Sequence, residues 1–410
     1  MNSNSQLTGG PNLTILKWLT FLMFMMFAMT TDAVGVIIPE VMKQFQVGMT
    51  AAGLMHYTPM IAIALAGVLL GFLADKLGRK VTIILGLAMF AVNSYLYIVA
   101  NTFGMILCLM AIGGLSIGVF KTGALALIGD ISKSMREHTS TMNTVEGFFA
   151  VGAIIGPFIV TYFLTRGTAW QWLYVVAGTL CVILVSMALL VDYPKTIRTT
   201  EEPINLKGAI SMLKDPYAVG FSISAFLYVA VECAVYVWMP TLISNYDGNL
   251  VMIATYSLTI FFVLRAGGRF LGAWLMARFN WSVILSIFSF IIFLCFLGSV
   301  VFGIGLAVVL LPLSGLFMSV IYPTINSKGI SCFPKAKHGS IAGVILFFTA
   351  AGAALGPLAM GAVSDAFGHN AIAGFILATV FAALLLGATT ANLIMNPTKS
   401  RLQKLDESEY

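Results

Sequence analysis

Residues 71–80 read GFLADKLGRK, a Gly-x3-Asp-x2-Gly-Arg-Lys turn set between two of the longest apolar runs in the chain, 51–74 and 81–100. Glycines at 71 and 78 permit a tight turn and a close approach of two helix ends. Between them Asp75 is placed either to cap a neighbouring helix N-terminus or to pair with Arg79. A compact, basic turn joining two runs of about 20 apolar residues is the connection expected between membrane-crossing helices.

Composition extends that reading to the whole chain. Of 410 residues, 59% are hydrophobic and 9% charged, and the mean hydropathy is +0.97. A soluble domain carries roughly 25% charged residues, so this is an all-α, polytopic membrane protein. The net charge of +6 is carried by short loops between apolar runs and is no nucleic-acid footprint. Cys108, Cys181, Cys233, Cys295 and Cys332 fall in or beside apolar segments without a CxxC pair, as small core residues do. The N-terminal MNSNSQLTGGPN lacks the basic start of a cleavable leader, which leaves the first helix as its own targeting signal.

Twelve spans follow from apolar run length, over 15–41, 51–74, 81–100, 103–129, 140–164, 171–192, 217–244, 251–277, 281–302, 304–331, 339–363 and 371–394. The polar segment 193–215, with two prolines in 192–215, divides them six and six. The expected organisation is thus a tail (1–14), a six-helix bundle (15–192), a linker (193–215), a second bundle (216–395) and a second tail (396–410). With the N-terminus inside, every loop lysine and arginine except Lys43 and Arg166 lies on the cytoplasmic side, so both termini and the linker are cytoplasmic. The halves also repeat. Gly152-Ala-Ile-Ile-Gly156-Pro157 recurs as Gly352-Ala-Ala-Leu-Gly356-Pro357, offset by 200, and Asp32 and Glu232 share that offset. The 71–80 turn has a decayed counterpart, GAWLMARFN, at 272–280. Three matches in equivalent spans indicate a duplicated, pseudo-symmetric pair of bundles.

From about Lys17 to Asn396 the pattern resembles the major facilitator superfamily of secondary transporters, whose signature loop lies between helices 2 and 3. FLYVAVECAVYVWMPTLI (226–243), GFFAVGAIIGP (147–157) and SVIYPTINS (319–327) are similar to the fucose–galactose–glucose:proton symporter branch. The loop signature of facilitative sugar porters and that of peptide transporters are absent. The resemblance implies a central cavity lined by spans 1, 4, 7 and 10, with Asp32 and Glu232 facing each other across it, and a conformational latch made by Gly71, Asp75, Gly78 and Arg79. It also makes Arg269, in a Gly-Arg pair before the 8–9 loop, an interdomain latch.

A charge at a helix centre costs about 2.5–3.5 kcal/mol on insertion scales, so the charges retained inside spans point to function. Asp32, Glu232 and Glu146 are the candidates for proton coupling, because burial raises a carboxyl into the range where it loads and releases protons. The structural alternative is a carboxylate locked in an ion pair. Lys121, in GVFKTGA, needs a partner or an anionic ligand; Asp32 is the partner proposed, and its protonation would release the lysine. Arg265 is a candidate ligand, and Lys328 reads as a snorkelling cation. Tyr228, Glu232 and Tyr236 share a four-residue spacing and hence one helix face. With Trp238, Tyr322 and Asn326 they suit a hydroxylated ring that needs stacking platforms and paired hydrogen bonds. His56 is a lone polar residue in span 2. No metal-ligand spacing, phosphate loop or nucleophile–base pair occurs, so neither a metal, an organic cofactor nor an enzyme is expected.

The expected function is uptake of a sugar, sugar-like metabolite or organic anion by alternating access. H⁺ is the coupling ion and Na⁺ the alternative. A multidrug–proton antiporter and a non-transporting receptor are the competing classes. A monomer in the plasma (inner) membrane, with a small-molecule substrate and lipid as its partners, completes the expectation.

Overall fold

The computed structural model describes residues 12–70, 73–132, 135–194, 212–276, 278–334, 338–399 and 401–402, without the side chains of 68, 75, 135–140, 143, 273 and 338–340. Gly71, the Asp75 side chain and most of the linker lie outside the described residues. Among the described residues, twelve helices are long and apolar enough to cross a membrane. They are Leu13–Phe45, Met49–Gly67, Arg79–Val99, Phe103–Ile131, Thr144–Thr165 and Trp172–Leu190, then Pro216–Leu242, Ser257–Met276, Trp281–Val301, Ile304–Ser331, Ile341–Ala366 and Ala371–Met395, called spans 1 to 12 in that order. Among the described residues the regular structure is helical.

The span ends carry the polar residues that helix starts require. Thr102 accepts the Met105 N–H at 3.2 Å, Asn280 the Ser282 N–H at 2.9 Å and Asn370 the Ile372 N–H at 3.0 Å. Asp215 caps span 7 through Tyr217, with Pro216 in the first turn. Outward-facing positions are apolar and bare: Leu190 is 86% exposed, Phe270 81% and Ile394 77%. Such a surface is stable in hydrocarbon, where each helix satisfies its own backbone, and the chain is an integral membrane protein.

Contacts group the chain into two units, 1–34 with 55–200 and 35–54 with 201–410. In the first, Phe24 and Phe27 of span 1 interlock with Phe120 of span 4, at ring distances of 5.1 and 4.7 Å, and Phe27 meets Phe90 of span 3 at 4.9 Å. The repeated GxxxGP runs do the same work in each unit. A Cβ built on Gly156 would stand 2.0 Å from the Met29 carbonyl oxygen, so span 5 lies directly on span 1. A Cβ on Gly356 would stand 2.6 Å from the Ala230 side chain, so span 11 lies on span 7.

Segment 35–54 joins the second unit for specific reasons. Gly35 rests against the Tyr236 carbonyl. At the start of span 2, the Met49 and Thr50 N–H groups donate to the two carboxylate oxygens of Asp365, at 3.0 and 2.8 Å. A residue more than 300 positions away thus supplies that helix's N-cap.

The start of the C-terminal tail is fastened rather than loose. Arg401 makes two bonds to Asp215, at 2.7 and 3.0 Å, and one to the Cys332 carbonyl at 2.9 Å. Burial pushes the Asp215 carboxyl up, but these bonds and the Tyr217 N–H outweigh it and hold the group below its ordinary value.

Candidate functional site

Span 1 is two helices, Leu13–Thr31 and Val34–Phe45, and the break falls at Asp32. The sequence explains the weakness. Thr30 and Thr31 turn their hydroxyls back onto the Phe27 carbonyl, at 2.9 and 3.2 Å, and Thr31 Oγ1 lies 2.8 Å from Asp32 Oδ2. Asp32 is half-buried, as is Lys121 of span 4. The Lys121 ammonium feels the charge of Glu146 most and of Asp32 next, and lies 5.8 Å from the Phe149 ring. Glu146 is exposed near the start of span 5. Three of the charges singled out in the sequence therefore form one electrostatic group in the first unit.

The second unit holds a tighter group at the repeat-related position. Glu232 is 7% exposed and pairs with Arg265 of span 8, Oε1 to Nη2, at 2.5 Å. Tyr228 directs its hydroxyl to Glu232 Oε1 and the Met318 carbonyl, each at 2.8 Å. Its ring stacks on Tyr322 at 6.3 Å. Asn326 and Arg269 are half-buried. Glu232 thus sits in an ion pair closed on a second side by a phenol.

Here too the helix is irregular, because residues 234–238 form a π turn immediately after Cys233. Within it the Tyr236 hydroxyl lies 2.8 Å from Cys233 Sγ. Trp238 is fully buried, and its indole N–H donates to the Pro357 carbonyl at 3.0 Å, so its polar group already holds span 7 to span 11. Asp32 and Glu232, related by the repeat, stand at and two residues before a helix defect, respectively.

The turn after span 2 has a partner that sequence reasoning missed. Gly78 takes φ +84°, a conformation glycine adopts freely, and starts the next helix. Arg79 is 4% exposed and donates from Nε to Asp130 Oδ2, at the end of span 4, at 2.8 Å. Lys80 reaches the Leu189 and Val191 carbonyls, both at 2.9 Å. Asp75, the acid placed either to cap a neighbouring helix or to pair with Arg79, has its side chain outside the described residues. Asp130 and Asp365 were passed over because an acid at a span end looks like any loop charge. His56, in span 2, is buried with its ring edge-on to Tyr57 at 5.9 Å. Among the described residues, no three of His, Cys, Asp and Glu gather as a metal site.

A family model described as Major Facilitator Superfamily matches residues 20–357. The chain belongs to that superfamily. Two relatives are drug-resistance proteins. Quinolone resistance protein NorA of Staphylococcus aureus is 25% identical over 315 residues, covering 72% of this chain and 76% of that protein. Multidrug resistance protein 1 of Bacillus subtilis is 25% identical over 223 residues, 54% of each chain. Among solved structures, the nucleoside transporter NupG aligns with a TM-score of 0.72 at 16% identity, covering 94% of this chain and 99% of that one. The superfamily transporter FucP aligns at 0.60 and 20% identity, covering 91% and 97%. At such identities these structures establish the fold, twelve helices in two pseudo-symmetric bundles, and the superfamily makes the chain a transporter.

Proposed function

We propose that this protein is a secondary active transporter that takes up a small polar solute by alternating access, coupled to protons as a symporter. The solute class is a sugar, a sugar-like metabolite or an organic anion. The observation that carries the reading is the Lys121 group. An ammonium and two carboxylates are kept in or at the edge of the membrane, and one carboxylate sits at a break in its helix. Protonating Asp32 removes one of the two negative charges acting on Lys121 and leaves the ammonium available to an anionic or hydroxylated ligand. A break at the same residue lets its protonation change the local helix as well.

Glu232 fits a different role. Its pairing with Arg265 and Tyr228 supports an ion pair that presents the guanidinium, with Glu232 and Glu146 second in line as coupling groups. Tyr322, Asn326 and Tyr236 remain candidate ligands, and Trp238 serves as a packing anchor. The test is a panel of radiolabelled neutral sugars, sugar acids and lipophilic cations offered to reconstituted protein. Uptake confined to sugars or sugar acids, reduced at least tenfold in Lys121→Gln, supports the reading.

A second reading, drug–proton efflux, is favoured by the 25% identity to NorA. It predicts instead that the lipophilic compounds move and that Lys121→Gln leaves their transport intact. The plasma (inner) membrane, cytoplasmic termini and a monomeric state belong to the same proposal, as does H⁺ rather than Na⁺ as coupling ion.

A further inference from the structure

Away from these groups, the second unit contains a cavity of about 280 Å³ that the transport reading does not use. It lies where the first turns of span 7, the start of span 9 and the last turns of span 12 converge. Gly220, Phe221, Trp281, Leu285, Asn392 and Met395 are among its walls, and no charged side chain lines it. The polar atoms around it are already engaged. Tyr217 donates to the Pro397 carbonyl at 3.0 Å, Asn392 to Ser282 Oγ at 3.0 Å and Ser286 to the Thr389 carbonyl at 3.0 Å. What is left is hydrocarbon and aromatic surface, which holds neither water nor a sugar well.

The rim is the opposite. Lys328 Nζ lies 5.9 Å from the Trp281 ring, Lys399 is exposed one residue after the wall residue Thr398, and Lys214 is exposed just before span 7. Among the described residues of the second unit, the acidic side chain at this end is Asp215, and Arg401 neutralises it through two bonds. Among the described residues, three lysines therefore stand around an apolar opening with Asp215 as the one acid, at span ends that the charge bias places at the cytoplasmic membrane surface.

We propose that this cavity binds one anionic phospholipid, with part of an acyl chain in the cavity and the phosphate among Lys214, Lys328 and Lys399. A chain in the cavity gains nothing over a chain in the bilayer by hydrophobicity alone. Selectivity must therefore come from the lysines, point charges that suit a phosphate from several directions. The cavity in turn gives that lipid a fixed seat, which scattered surface lysines would not.

The test is native mass spectrometry of the full chain taken from nanodiscs with equal phosphatidylglycerol and phosphatidylcholine of identical chains. The wild type retains phosphatidylglycerol preferentially. Lys328→Gln lowers that retention roughly fivefold, as expected for one lysine near the membrane surface, and leaves phosphatidylcholine unchanged. Gly220→Leu addresses the chain, because a Cβ there meets nothing within 4 Å and the added side chain grows into the cavity; it lowers retention of both lipids while the melting temperature holds. Equal retention of the two lipids by the wild type overturns the proposal. So does a loss in Lys328→Gln without one in Gly220→Leu, which would mean phosphate held at the surface with no seated chain.

Discussion

At the scale of single residues, what matters is how the intramembrane charges are partnered. Removing either partner of Glu232–Arg265 leaves a charge in a poor solvent. With Arg265 partly exposed, Glu232→Gln or Arg265→Gln should each cost toward the low end of about 3–5 kcal/mol. The double variant should recover a good part of that loss, and a double-mutant cycle on unfolding in detergent measures it. Additive losses would mean that the pair is incidental. All four of Asp32, Lys121, Glu232 and Arg265 were legible in the sequence, because a charge inside an apolar run stands out. The pairing of Arg265 with Glu232 was not legible, because it depends on helix rotations that no spacing encodes. The π turn after Cys233 was not legible, because it carries no signature in AVYVW.

At the scale of elements, glycine contacts and caps decide how helices seat. Gly156→Leu would drive a side chain into the Met29 backbone, so it should abolish the monodisperse peak in fluorescence-detected size exclusion. Gly147→Ala, on the same helix with no atom within 4 Å of its added Cβ, should leave that peak unchanged. Comparable profiles for the two would contradict the packing of span 5 on span 1. The cap on span 2 is testable where it acts. Losing a side-chain cap costs about 1 kcal/mol, so Asp365→Ala should speed amide hydrogen exchange at Met49 and Thr50 by about fivefold. Exchange across the middle of span 11 should stay as in the wild type. Unchanged exchange at Met49 and Thr50 would show that the cap is not made in solution. Span positions were legible because about 20 apolar residues must be consecutive to cross a bilayer. The breaks at Asp32 and after Cys233, and the remote cap on span 2, were not, since each depends on tertiary contacts.

At the scale of the whole molecule, the duplication explains why two unlike charge groups occupy related positions. The offset of 200 that joins the GxxxGP runs also joins Asp32 to Glu232, and both spans are irregular there. One copy carries a half-buried carboxylate near an ammonium, the other a carboxylate locked to a guanidinium. The superfamily fold was readable from the 71–80 turn, the six-and-six division and the repeat. The substrate was not, because ligand choice rests on a handful of side chains whose rotamers the sequence leaves open.

The most direct test of proton coupling through the first unit uses proteoliposomes with a pH dye in the outer medium, challenged with the transported solute. Wild-type protein should alkalinise the medium as solute enters, and Asp32→Asn should abolish the pH change. In Glu232→Gln, whatever solute movement survives its destabilisation should remain proton-linked. Solute entry without a pH change in the wild type, or an undiminished pH signal in Asp32→Asn, would contradict the account.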